Sequence, residues 1–194
     1  MAIVADPATL DVDAKSPLWL LQIGGSAASD LLWEPLFLSL LERALPEAGP
    51  RVWGGATLSA TISEFLSGNP GNVLVAENRY LLVSGAKRHF GRSKGLLWID
   101  CESSLPAIGF IARSYYQPGQ EKVAICVNTA QGVPAHFLVT AIRWLSSDGN
   151  QSIVEIAVYG ATGDKKYLDP QIIGISPRRT MLMPRKAKRR RVRT

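Results

Sequence analysis

FLVTAIRWLSSDGNQSIVEIAVYG, residues 137–160, is the stretch on which the reading of this chain turns. Two apolar runs, 137–145 and 152–159, flank a polar segment with Asp148-Gly149 at its centre. An Asp-Gly pair between apolar runs signals a hairpin, because glycine accepts the positive φ of a tight turn. The expectation is an antiparallel β-hairpin. On its second strand Val154, Ile156 and Val158 would point one way, and Ile153, Glu155, Ala157 and Tyr159 the other. The all-apolar set is expected to face a core. The rest of the chain must supply that core, since a lone hairpin is marginally stable.

Upstream, short β-rich runs follow one another at 73–76, 80–84, 96–99, 108–112 and 122–127, with turn residues between them. Glu77-Asn78 is placed to close a tight turn. Regular short strands of this kind predict a small antiparallel barrel or sandwich. Before residue 70 the texture is helical. Leu36, Phe37, Leu40, Leu41 and Ala44 recur at helical spacing within 30–45, with Pro35 compatible with a start near Glu34. Leu58, Ile62, Phe65 and Leu66 make a second stripe, with Thr57 or the Thr61-x-x-Glu64 pattern as the cap and Gly68 as the stop. The predicted fold is α+β. A small N-terminal helical part (1–70) packs on a C-terminal antiparallel β-barrel (71–177), followed by a disordered basic tail (178–194).

The 194 residues suit one domain with a small appendage, and 46% hydrophobic content is ample for a core. The net charge of +6 is unevenly placed. Residues 178–194 hold nine Lys or Arg and no acid, so 1–177 carry 13 basic and 16 acidic groups, a net of −3. Arg185, Lys186, Lys188, Arg189, Arg190, Arg191 and Arg193 can therefore meet nucleic acid or another polyanion by counterion release, without reading sequence. Such a segment buries too little apolar surface to offset its ordering entropy.

The first residues lack the charged start and apolar run of a signal peptide. The stretch 18–45 is broken by Gly24-Gly25, Asp30, Glu34 and Pro35, so no transmembrane segment is expected. Cys101 and Cys126 are read as buried free thiols, and a cytoplasmic setting is the expectation.

Chemistry-bearing motifs are few. Gly24-Gly25-Ser26 lacks the lysine of a phosphate-binding P-loop and reads as an ordinary turn. The two histidines, His89 and His136, have no nucleophile motif beside them, and no cluster has metal-ligand spacing. No catalytic residue, metal or cofactor is expected. The basic loop 87–94 is more informative, with Lys87, Arg88, Arg92 and Lys94 around His89 and Phe90. Arginine forks in a loop suit a phosphate.

The segment 96–160 resembles PilZ-like β-barrel domains. The likeness lies in WIDCESSLPAIGFIAR, in QPGQEKVAICV, and in Ile142-Arg143-Trp144-Leu145 followed by IVEIAVYG. Many such bacterial modules bind cyclic di-GMP through an R-x-x-x-R loop and a D/N-x-S-x-x-G turn. Arg88-x-x-x-Arg92 matches the first pattern. The second is absent, since Ser104 is followed by Leu105-Pro106-Ala107 and Gly109 comes two positions late. The resemblance implies a non-catalytic regulatory or binding module, with Arg88 and Arg92 on an anionic ligand such as a cyclic dinucleotide. The alternative is a nucleic-acid-associated protein that uses its basic tail.

Overall fold

The computed structural model describes residues 17–45, 49–52, 55–68, 70–103, 105–117, 120–147 and 152–169. Seven strands form one sheet in chain order: β1 (Pro70–Ala76), β2 (Tyr80–Lys87), β3 (Phe90–Asp100), β4 (Ala107–Gln117), β5 (Gln120–Val127), β6 (Ser152–Tyr159) and β7 (Lys165–Leu168). Every neighbouring pair is antiparallel except β5 and β6, which run parallel. Before the sheet come a 3-10 helix (Pro17–Ile23), α1 (Ala28–Leu31), α2 (Pro35–Ala44) and α3 (Leu58–Leu66). Between β5 and β6 lies α4 (Ala135–Ser147).

That last helix overturns the hairpin expectation. The apolar run 137–145 is helical, and its buried side chains are Phe137, Ala141 and Leu145, one face at a spacing of four. An apolar run of that length fits a strand or a helix equally well, and the Asp-Gly signal tipped the sequence reading the wrong way. Parallel neighbours cannot be joined by a tight turn and need a crossover, which α4 provides. Thr140 and Ser146 hold their hydroxyls inside the helix, donating to the carbonyls of His136 and Ile142 at 2.8 Å each. The Asp148-Gly149 turn lies outside the described residues.

The sheet is open, with β1 and β7 at opposite edges, so the barrel expectation is also corrected. A barrel core is lined by one face of each strand. Here both faces are covered: Leu96 to Ile99 on β3 and Val123 to Val127 on β5 are buried without a break. Continuous burial of this kind marks a sheet with helices on both sides. On one side Leu97, Ile99, Phe110, Ala112 and Cys126 pack with Phe37, Leu40, Ile62 and Phe65 of the N-terminal helices. On the other, Leu96, Trp98, Ile111, Val123 and Ile125 pack under Phe137, Ala141 and Leu145 of α4.

Strand β6 shows why the face assignment held only in part. Ile156 packs under α4 with Val158 beside it, as expected. Ala157 and Tyr159 enter the opposite core. The register slips between Glu121↔Ile153 and Lys122↔Glu155, which leaves Val154 in a bulge and 46% exposed.

The helical readings stand with adjustments. Residues 30–45 form two helices, and Pro35 occupies the first turn of α2 behind an extended Glu34. Phe37, Leu40, Leu41 and Ala44 are buried, whereas Leu36 is 49% exposed. Thr57 is the cap of α3, its hydroxyl accepting from the Ala60 amide at 3.4 Å. Glu77 and Asn78 both adopt positive φ, 55° and 50°, closing the β1–β2 turn. Gly68 serves close approach, because a Cβ there would lie 1.8 Å from the Ala86 carbonyl oxygen. Among the described residues no helix is long and apolar enough to cross a membrane.

Candidate anion-binding site

The strands place the sequence-predicted residues at two opposite ends of the sheet. The β2–β3 turn carries Arg88 and His89, the latter at φ 64°. Pairing jumps from Ala86↔Lys94 to Lys87↔Phe90, so β3 carries extra residues at 91–93, and Arg92 projects from this irregular stretch. Arg88 and Arg92 are exposed, and neither has a carboxylate partner among the described residues. The Arg92 guanidinium lies 5.2 Å from the centre of the Tyr115 ring on β4. Lys87 is neutralised by Glu64 of α3 at 2.6 Å.

Beside them, Lys94 stands opposite Arg113 on β4. Arg113 and Glu121 form an ion pair in which each side chain is 1% exposed. A buried pair of this kind is costly to break from either side, so it fixes this end of β4 and β5. Two residues beyond Lys94 and Arg113, Arg92 and Tyr115 meet through the guanidinium–ring contact. Sequence reading missed Tyr115 and the Arg113–Glu121 pair. The available signal was alternation: Arg92 and Lys94 on one strand, Arg113 and Tyr115 on its neighbour.

The turn at 100–109 lies at the other end of β3. Eight residue steps along the strand separate Arg92 from Asp100, about 26 Å. Arg88 and Arg92 therefore do not converge with that turn. Its own residues are occupied. Arg79 grips Asp100 with Nε to Oδ1 at 2.9 Å and Nη2 to Oδ2 at 2.6 Å, and also pairs with Glu102. Burial alone would raise the Asp100 carboxyl. The Arg79 hydrogen bond, the Glu102 amide and the nearby positive charge outweigh it and hold the group below the usual carboxylate range.

His136, at the start of α4, is likewise built into the fold. The Trp98 indole N–H donates to its Nδ1 at 3.0 Å. An indole can only donate, so Nδ1 is the acceptor and the proton sits on Nε2. The ring stacks on Tyr80 at 3.7 Å, and Nε2 lies 3.7 Å from Glu77 Oε1. The cluster clamps the first turn of α4 to β2 and β3.

The remaining candidates are structural. Gly25 N–H donates to Val73 O at 2.8 Å, and Ser26 O accepts from Val73 N–H at 2.9 Å. The Gly24-Gly25-Ser26 turn thus caps the outer edge of β1 and offers no amide cradle to a phosphate. Cys101 and Cys126 are buried and free, as expected. Burial, then the Asp100 charge, pushes the Cys101 thiol up to about 12, and burial raises Cys126 as well. Among the described residues no group of three or more His, Cys, Asp or Glu is placed to hold a metal ion. A cleft of about 80 Å³ lined by Leu45, Pro50, Leu58, Val127 and Asn128 has room for little more than water. The tail cations, Arg185 to Arg193, lie outside the described residues.

Comparison with protein-family models, curated proteins and solved structures found no match to this chain.

Proposed function

We propose that the protein is a non-catalytic binding module that takes a phosphate-bearing ligand at the β2–β3 hairpin, with Arg88 and Arg92 as the anion-binding residues. The observation that carries this is the state of those two arginines. Both are exposed, four residues apart in one hairpin, and without a carboxylate partner among the described residues, while Lys87 beside them is neutralised. A guanidinium fork matches the oxygens of a phosphate. The PilZ-like likeness of Arg88-x-x-x-Arg92 makes a cyclic dinucleotide the first ligand to try, in a cytoplasmic setting suited to two free thiols.

The test is calorimetric titration of the full chain with cyclic di-GMP and with inorganic pyrophosphate. Replacing both Arg88 and Arg92 by Ala should weaken binding by at least about a hundredfold, since hydrogen bonds to charged groups contribute about 1.5–3 kcal/mol each. The melting temperature should stay unchanged. Undiminished binding by the double variant removes the hairpin as the site.

A second reading is favoured by the tail. Nine Lys or Arg without an acid in 178–194 suit non-specific binding to nucleic acid, with the sheet as scaffold. In that case affinity should survive the double substitution and vanish with the tail.

A further inference from the structure

We infer that Tyr115 is a base-stacking platform at the hairpin site, which Arg92 covers in the free protein, so that the ligand is a nucleotide rather than a bare phosphate. This rests on the reading of the hairpin as a phosphate site. Arg92 and Tyr115 stand on neighbouring strands, with the guanidinium 5.2 Å from the ring centre. A guanidinium plane and a nucleobase seek the same partner, the π-face of an aromatic ring. Arg92 is exposed and Tyr115 only half-buried, so the contact sits at the surface, where a ligand can replace it.

The platform is tied into the sheet. Tyr115 pairs with Glu121 across β4 and β5, and the Glu121 carboxylate is held by Arg113 in the buried ion pair. Arg88, on the adjoining turn, brings further positive charge to the same end of the sheet. On binding, Arg92 turns from the ring to the phosphate, and the base takes the place of the guanidinium on Tyr115. One movement thus creates both halves of a nucleotide site. Stacking is tolerant of base identity, so purine and pyrimidine ligands should differ modestly.

The test titrates the full chain with guanosine monophosphate, ribose 5-phosphate and inorganic pyrophosphate, and follows the Tyr115 ring protons by NMR. The nucleotide should bind about tenfold more tightly than the sugar phosphate, the gain expected of one stacked base. Tyr115→Ala should erase that advantage without weakening pyrophosphate binding, which tightens slightly because Arg92 no longer has to leave the ring, while Tyr115→Phe should keep the advantage. Tyr115→Leu, which keeps apolar bulk on the strand without an aromatic face, replaces the Ala variant if the latter unfolds. The Tyr115 ring resonances should move upfield with the nucleotide alone. Should nucleotide and ribose 5-phosphate bind equally, and Tyr115→Leu change nothing, the platform is refuted while the phosphate site stands. If none of the three probes binds the unaltered protein, the phosphate reading fails and the platform with it.

Discussion

Replacing Asn128 by Ala tests the architecture at one residue. Its side chain ties together three parts of the chain at the end of β5. Oδ1 accepts from the Ile108 amide at 2.7 Å, and Nδ2 donates to the carbonyls of Pro106 at 3.0 Å and Ala44 at 3.2 Å. The Ala44 carbonyl belongs to the last turn of α2, so this amide joins the helical layer to the sheet. Three hydrogen bonds at about 0.5–1.5 kcal/mol net each, with their partners left in a half-buried site, give a loss of about 2–4 kcal/mol. For a chain of this size that lowers the melting temperature by roughly 5–15 °C. Urea denaturation followed by tryptophan emission reads the loss as a shift in midpoint at constant slope. Asn128→Asp keeps the acceptor but sets a carboxylate against two carbonyls, and should be at least as damaging. A loss under about 0.5 kcal/mol for Asn128→Ala, the range of ordinary surface changes, would refute the tie.

Ile156→Asp should unfold the protein, because it buries an unpaired charge at a fully enclosed position under α4. Glu155→Lys replaces the partly buried pair with Lys122 at 3.1 Å by two facing lysines and should cost about 1–2 kcal/mol by the same denaturation, well short of unfolding. Because the folded protein holds the Asp100 carboxyl below its ordinary range, the Arg79 pair adds stability above about pH 4 and loses it as the pH falls further. Wild type and Arg79→Gln should therefore differ in melting temperature at pH 6 and converge in acid. A chain ending at Pro177 should fold as well as the full one yet lose most of its low-salt binding to DNA or RNA, as measured by anisotropy between about 50 and 200 mM salt.

Sequence patterns made some parts of this fold legible and left others hidden, for identifiable reasons. The strands were visible because turn residues punctuate them, and Glu77-Asn78 closed its turn as read. Helices α2 and α3 were visible because their apolar stripes keep a period near 3.6. The run 137–145 was not, because its nine residues satisfy both periods and a downstream Asp-Gly added a local signal with no bearing on the topology. The open sheet was hidden by the same error. Losing α4 removed the cover from one face, and a sheet covered on one side reads as a barrel. Of the candidate site, Arg88 and Arg92 were legible from charge and spacing. Tyr115 was only half legible, since the alternation at 113–115 marks it but its relation to Arg92 depends on how β3 and β4 align, which no local pattern encodes.

The most direct test of the hairpin site is amide NMR of the full chain during titration with a cyclic dinucleotide. The shifts should concentrate at residues 87–94 and 113–115, with the opposite end of the sheet, 77–80 and 100–106, left still. Shifts centred on that opposite end, or confined to 178–194, would contradict the assignment of Arg88 and Arg92.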